Sequence, residues 1–330
     1  MENDYTLIKV ADASGDNVYS GIARILMAYT LQITVDTWGK IPYSQAFQGN
    51  TGGTTTPTYD DDKALYDTIA SLITVGSAQL AGPTGPLTPA ADDGVYGGDA
   101  SKWIKFGHAI KARLFIHQSK GNSTMATNAL AEIALAFSDN TDNAQYIFGV
   151  DQTAANPWYQ FGRDRTGNIT FSTSTLANQL QSSSDPRFPI LIDAANDGGG
   201  LSGGHYGGLA NYYGSISSPV EFITYDELLF MSAEATLRSS GSISNAQILY
   251  QAAITANMQK LGVAAPAIAT YITANGTLST VSADAAIAQV AAQEYIALYL
   301  NPEAWTTWRR TGSPNLSPVS GSQCSFSTHK

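Results

Sequence analysis

Two stretches carry side chains suited to recognising a ligand. One is Asn156-Pro157-Trp158-Tyr159-Gln160-Phe161; the other runs from Asn196 to Pro219 and holds His205, Tyr206, Tyr212 and Tyr213 among eight glycines. Sugar rings present apolar C–H faces that stack on aromatic planes, and their hydroxyls need short polar partners. Binding sites of this kind combine apolar surface with a few placed polar groups. The candidate ligand residues are therefore Trp158, Tyr159, Tyr206, Tyr212 and Tyr213, with Asn156, Gln160, Asn196 and Asn211 as polar partners. The bland alternative is that each ring packs only its own loop.

Residues for other chemistry are poorly placed. His108 and His117 are nine apart, not the i, i+4 spacing of a helical metal pair, and GGGLSGG lacks the Lys-Ser/Thr of a phosphate loop. There is no G-x-S-x-G elbow. Asp60-Asp61-Asp62 lacks the spacing of a calcium loop. An all-α glycosidase would need two carboxylates facing a cleft. Glu227 and Glu234 sit two turns apart on a helix expected to be buried, and Glu294 and Glu303 are no better placed. Buried glutamates of this kind are expected to bond an arginine such as Arg309 or Arg310. No catalytic residue, metal ligand or cofactor is assigned.

The 330 residues are enough for a large core. Charged residues make up 13%, about half the usual share. A net charge of −10 disfavours nucleic acid and a polybasic membrane patch. The one cysteine, Cys324, excludes an internal disulfide. No apolar run approaches the ~18 residues of a membrane span. The N-terminus, MENDYTLIKV, is acidic and lacks a signal-peptide pattern.

The elements behind the rings read as helices. Ile22, Ile25, Leu26, Tyr29 and Ile33 form a helical stripe within 16–36. After a Gly/Thr linker at 49–56, a helix beginning near Pro57–Asp60 carries Leu65, Ile69, Leu72 and Ile73, with Asp60, Asp61 and Asp62 in its first turn. Asp99 caps a helix with Trp103, Phe106, Ile110 and Leu114 inward and Lys102, Lys105, Lys111, Arg113 and Lys120 on the other faces. Met125, Leu130, Ile133, Ala134 and Phe137 give a fourth helix. From 138 to 222 the periodicity fades: a short strand at 144–150, an aromatic loop at 156–161 and a short helix behind Ser172 are expected. Thr224–Val263 reads as a helical hairpin of about 40 residues, near the ~34 of one TPR unit. Its first helix is mostly apolar, with Glu234 and Arg238 as a surface pair. Ser244 or Asn245 caps the second, whose inner stripe includes Ile248 and Leu249. A loop region at 264–282 with room for a helical turn, and an apolar helix at 284–300, follow.

Four segments carry a family resemblance. YDELLFMSAEA with NAQILYQAAITANMQKLGV resembles the C-terminal helical core of the SusD/RagB family. LQITVDTWGKIPYSQAF is similar to its "YGDIPY.EA" segment, departing at Trp38 and Lys40. GDASKWIKFGHAIKARL matches "G….W.KFANSLKLRL", and AAQEYIALYLNPEAWTTWRRTG with Pro314 matches "I..QKWIALF..G.EAW..YRRTG.P". Asp185-Pro186-Arg187 also recurs there. The matches run in order over about 20–316.

The resemblance implies a mostly α fold: TPR-like helical pairs forming a superhelical scaffold (about 16–137 and 222–312) with a loop-rich, ligand-facing insertion (about 138–221), in a single domain 1–330. It implies a lipoprotein on the extracellular face of the outer membrane. Such a protein does no catalysis. It captures an oligosaccharide (or peptide) and hands it to a SusC-like TonB-dependent transporter. The membrane contact would be an N-terminal lipid anchor carried by a segment upstream, so the chain is expected to be a fragment cut at both ends. The competing classes are a cytoplasmic TPR-like adaptor, which would lack the Gly-rich insertion, and the glycosidase.

Overall fold

A computed structural model describes residues 1–49 and 52–316. Cys324, His329 and the tail PVSGSQCSFSTHK lie outside the described residues, as do positions 50 and 51 of the Gly/Thr linker. Fourteen α-helices occur in order among the described residues: α1 (Glu2–Ser14), α2 (Asn17–Trp38), α3 (Asp62–Leu80), α4 (Ala100–His117), α5 (Ser123–Ile133), α6 (Pro157–Asp164), α7 (Thr175–Ser182), α8 (Phe188–Leu191), α9 (Asn211–Gly214), α10 (Tyr225–Ser240), α11 (Ile243–Lys260), α12 (Ala265–Asn275), α13 (Ala283–Ala297) and α14 (Glu303–Thr311). Strands β1 (Ala144–Ile147) and β4 (Pro219–Ile223) pair antiparallel, Ala144 facing Ile223, and β2 (Leu201–Ser202) pairs with β3 (His205–Tyr206). The mostly helical, TPR-type architecture is as the sequence predicts.

Neighbouring helices pack in series, α1 on α2, α2 on α3, α3 on α4, α4 on α5, and α10 joins α5 to α11 and α13. Helix α14 then returns to touch α2 and α4. One core gathers Ile25, Leu31, Ile69, Trp103, Phe106 and Ile110, and a second gathers Phe230, Tyr250, Ile254 and Val290. The α2–α3 crossing depends on small residues. A Cβ on Gly21 would come 2.9 Å from the Gly76 carbonyl oxygen, and one on Gly76 would come 2.9 Å from that of Gly21. By length and apolarity α2 could cross a membrane, yet 61% of the qualifying window is buried inside the fold.

The ends of several elements differ from expectation. Asp61 is the N-cap of α3, and Asp60 instead accepts hydrogen bonds from the Tyr43 and Ser44 amides. Ser242 caps α11, and Ile248 faces solvent at 69% exposure. Within 264–282, expected as a loop region holding one helical turn, Ala265–Asn275 forms the longer helix α12, and Glu2–Ser14, to which no element was assigned, forms α1. Ser174, not Ser172, caps the short helix α7.

Helix α10 is the hub, and its acids are not surface groups. Asp226, Glu227 and Glu234 are buried and are matched from three directions. Arg113, expected on an outer face, is fully buried, and its Nε donates to Glu227 Oε1 at 2.8 Å. Cations spread over the outer faces of a helix read as solvated, but Glu227 supplies Arg113 with a buried partner 114 residues away. Lys260 bridges Asp226 (3.2 Å) and Glu221 (3.0 Å). Glu234 takes both Arg310 (2.9 Å twice) and Arg238 (2.7 Å). The Glu234–Arg238 contact is therefore part of a buried triad, not a surface pair.

Burial alone would raise the Glu234 carboxyl, but Arg310 and Arg238 outweigh it and hold the group down at about 2. A carboxyl lowered on folding contributes stability that is full above its unfolded value of about 4.5 and is lost as pH falls toward 2. Comparing urea melts of the wild type and Glu234→Gln at pH 6.5, 4.5 and 3 isolates this group. The wild type should lose more stability over that descent than the variant; parallel losses would contradict the assignment.

Candidate ligand-binding face

The loop-rich half has its own small core. Ile169, Leu176, Leu180, Leu191 and Leu209 pack with Tyr213 against Leu261, the C-cap of α11, and Ile296 of α13. This seats the irregular segment on the helical frame.

The expected aromatic loop at 156–161 is in fact the start of α6. Asn156 is its N-cap: Oδ1 accepts from the Trp158 amide (2.7 Å) and the Tyr159 amide (3.4 Å), and Nδ2 donates to the Ser218 carbonyl (3.1 Å). Pro157 at the first helical position costs no hydrogen bond there. Asn156 is fully buried with its polar atoms engaged, so its role in the structure is to aim the helix. Tyr159 points inward at 9% exposure, Trp158 is half-buried, and Phe161 is 40% exposed.

The rings form a continuous ladder. Phe161 meets Trp158 edge-on at 6.3 Å, Trp158 meets Phe171 at 6.3 Å, Phe171 meets Tyr299 at 5.7 Å, Tyr299 meets Tyr213 at 6.0 Å, and Tyr213 meets Tyr212 at 4.7 Å. Edge-to-face pairs at these separations are favourable beyond their burial. Tyr159 and Tyr206 form a separate pair at 5.2 Å. Trp158, Tyr212 and Tyr213 are thus brought together by Phe171 and Tyr299, which sequence reasoning did not single out. Tyr299 comes from the far end of the chain, and no local signal marks it.

Tyr212 and Tyr213 are anchored by their hydroxyls. Both donate to Glu221, at 2.9 and 2.8 Å, and Lys260 holds that carboxylate in turn. Burial, with the Glu221 charge beside them, pushes both phenols well above their ordinary value, so they stay protonated donors. Tyr213 is buried and Tyr212 half-buried.

The β2–β3 hairpin turns through Gly203 (φ 56°) and Gly204 (φ 99°), a two-residue turn that needs positive φ at both places. It delivers His205 and Tyr206 next to α9. The His205 ring is fixed by both nitrogens: Nδ1 lies 2.8 Å from Asn211 Oδ1 and Nε2 3.1 Å from Asp193 Oδ2. His205, Asp193, Asn211 and Tyr212, with Phe188 and Ile190, line an open groove of about 610 Å³. Asn211 is exposed and Tyr206 half-exposed, whereas Asn196 bonds the Gly200 and Gly207 carbonyls and Gln160 bonds that of Ala155. The face thus offers half-open rings (Trp158, Phe161, Tyr206, Tyr212) beside a groove with an amide, an imidazole and a carboxylate. That inventory suits a neutral, hydroxyl-rich ligand with apolar faces.

A helical-repeat frame thus carries a ring-lined irregular half. The chain belongs to the SusD-like family described as starch-binding and associating with the outer membrane, whose profile matches residues 2–326. Among curated proteins, none matches. Solved structures share the fold. A chitin-binding protein is 24% identical with a TM-score of 0.78, over 98% of this chain and 75% of its own. A SusD homologue from Bacteroides uniformis is 22% identical with a TM-score of 0.76, over 97% and 74%. A chitin-binding SusD homologue from Flavobacterium johnsoniae is 21% identical with a TM-score of 0.74, over 96% and 73%.

Proposed function

We propose that the protein captures an oligosaccharide on its loop-rich face, at the extracellular side of the outer membrane, and passes it to a SusC-like TonB-dependent transporter. The observation that carries this reading is the ring ladder ending in half-open Trp158 and exposed Phe161, on a face whose groove holds Asn211, His205 and Asp193. Within it, Trp158, Tyr206, Tyr212 and Asn211 meet the ligand, while Tyr159, Tyr213 and Asn156 hold the face in shape. Membership of a family described as starch-binding, and the likeness to two chitin-binding proteins of known structure, support a glycan as the ligand. Binding needs no bond-breaking chemistry at the site, and a lipid anchor on an upstream segment would supply the membrane contact. The test is a neutral-glycan array, with malto- and chito-oligosaccharides included, followed by calorimetry on the hits. Saturable one-to-one binding of an oligosaccharide is expected. Binding of peptides with no glycan binding would overturn the ligand class.

A further inference from the structure

The Asp185-Pro186-Arg187 tripeptide stands at one end of a buried polar chain, and the Tyr212–Tyr213 pair stands at the other. Arg187 is fully buried. Its Nε and Nη2 donate to the two carboxylate oxygens of Asp185 at 2.9 and 2.6 Å, Nη1 donates to Asn257 Oδ1 at 2.8 Å, and Nη2 also reaches Gln293 Oε1 at 2.8 Å. Asn257 Nδ2 then donates to Asp226 Oδ2 at 2.7 Å. Lys260 Nζ lies 3.2 Å from the other oxygen of Asp226 and donates to Glu221 Oε2 at 3.0 Å. Glu221 in turn accepts the Tyr212 and Tyr213 hydroxyls.

Lys260 is the link on which the rings depend. Its side chain is 4% exposed, against 0% for Asp226 and 7% for Glu221. An ammonium this deep is costly unless carboxylates meet it. Burial opposes its charge, but Asp226 and Glu221 outweigh burial and raise the group above its ordinary value. The helix ends add to this. Lys260 closes α11 and Asp226 lies in the first turn of α10, where the peptide dipoles favour a cation and an anion respectively. Tyr212 lines the groove, whereas Lys260 stands behind it and is not part of the lining. Two phenol hydroxyls that share one carboxylate keep their geometry only while that carboxylate keeps its place.

We propose that Lys260 is a positioning residue for ligand capture: by holding Glu221 it sets the tilt at which the Tyr212 ring faces the groove, and Arg187, through Asn257 and Asp226, holds Lys260 in turn. The inference rests on the groove being the glycan site. It gives the Asp185-Pro186-Arg187 tripeptide a part in binding without any contact to the ligand.

The test compares Lys260→Met, Tyr212→Phe and the double variant in the full chain, with two readouts. Fluorine NMR of fluorotyrosine-labelled protein needs no ligand, and the Tyr212 resonance is the one that Tyr212→Phe removes. Lys260→Met should shift that resonance and leave the one of Tyr250, in the second helical core, in place. Calorimetry with an array-selected oligosaccharide should show affinity falling about fivefold in each single variant and no further in the double variant, because both cut the same tether. A lysine that merely supports the fold predicts losses that multiply. Circular dichroism checks folding. If Lys260→Met does not fold, Lys260→Met with Asp226→Asn replaces it: one carboxylate charge leaves with the ammonium, so the cluster keeps its net charge while Glu221 loses its hold. An unmoved Tyr212 resonance, or losses that multiply, overturns the proposal. A wild type that binds no oligosaccharide sinks the capture reading instead, and the Tyr212 resonance still decides whether Lys260 sets the ring.

Discussion

Replacing Arg113 with Met should destabilise the protein by about 3–5 kcal/mol, the range for removing one partner of a buried ion pair. Arg113 is fully buried, donates to Glu227 through Nε and Nη2, and reaches the Phe222 carbonyl at 3.0 Å. Its loss strands Glu227 in the core. Burial already pushes the Glu227 carboxyl up to about 7 even with Arg113 opposing that push. Without the guanidinium the group should fold only as the neutral acid. The sign follows: a carboxyl raised on folding contributes stability below its unfolded value, lost as pH rises through the folded one. The Arg113→Met defect should therefore be larger at pH 8 than at pH 6. Arg113→Met combined with Glu227→Leu should recover most of the loss, because a buried pair swapped for apolar groups is often neutral. Urea unfolding at both pH values reads all of this. An equal defect at pH 6 and 8, or no recovery in the double variant, would contradict the pair's assigned role.

The second large effect concerns binding. Trp158→Ala should weaken oligosaccharide affinity by about ten- to a hundredfold, which is roughly 1.4–2.7 kcal/mol. Tryptophans in the middle of a contact often carry energies of this size. Trp158 is the half-open ring between exposed Phe161 and half-buried Phe171, so under the proposed function it would present area to a sugar face while its neighbours hold the ring. Trp158→Phe should retain much of the affinity, which separates loss of stacking from loss of shape. Tyr212→Ala should weaken binding less cleanly, because its hydroxyl also braces Glu221. Unchanged affinity in both Trp158→Ala and Tyr212→Ala would remove this face as the binding site.

Much of the frame was legible in the sequence because its helices follow single apolar stripes. Leu65, Ile69 and Ile73 of α3 and Trp103, Phe106, Ile110 and Leu114 of α4 are all buried, as periodicity requires. Two helices escaped for one shared reason. Both begin with a proline in the first two helical positions, Pro157 in α6 and Pro266 in α12, where the missing N–H is harmless and apolar periodicity is short. Asn156 before Pro157 was a cap signal in plain view. Arg113 reads as outward from its own helix alone, because the partner that draws it inward lies on α10. The ring-rich stretches were visible too. Which rings face out was not, because Phe171 and Tyr299 decide it across more than a hundred residues.

Hydrogen exchange of the protein saturated with its best array-selected oligosaccharide, against the free protein, locates the ligand without altering a residue. Added protection is expected at 157–161 and 205–213, with the α2–α4–α14 junction unchanged. Protection confined to that junction, with the ring-bearing segments exchanging as before, would contradict a sugar-capturing role for the irregular half.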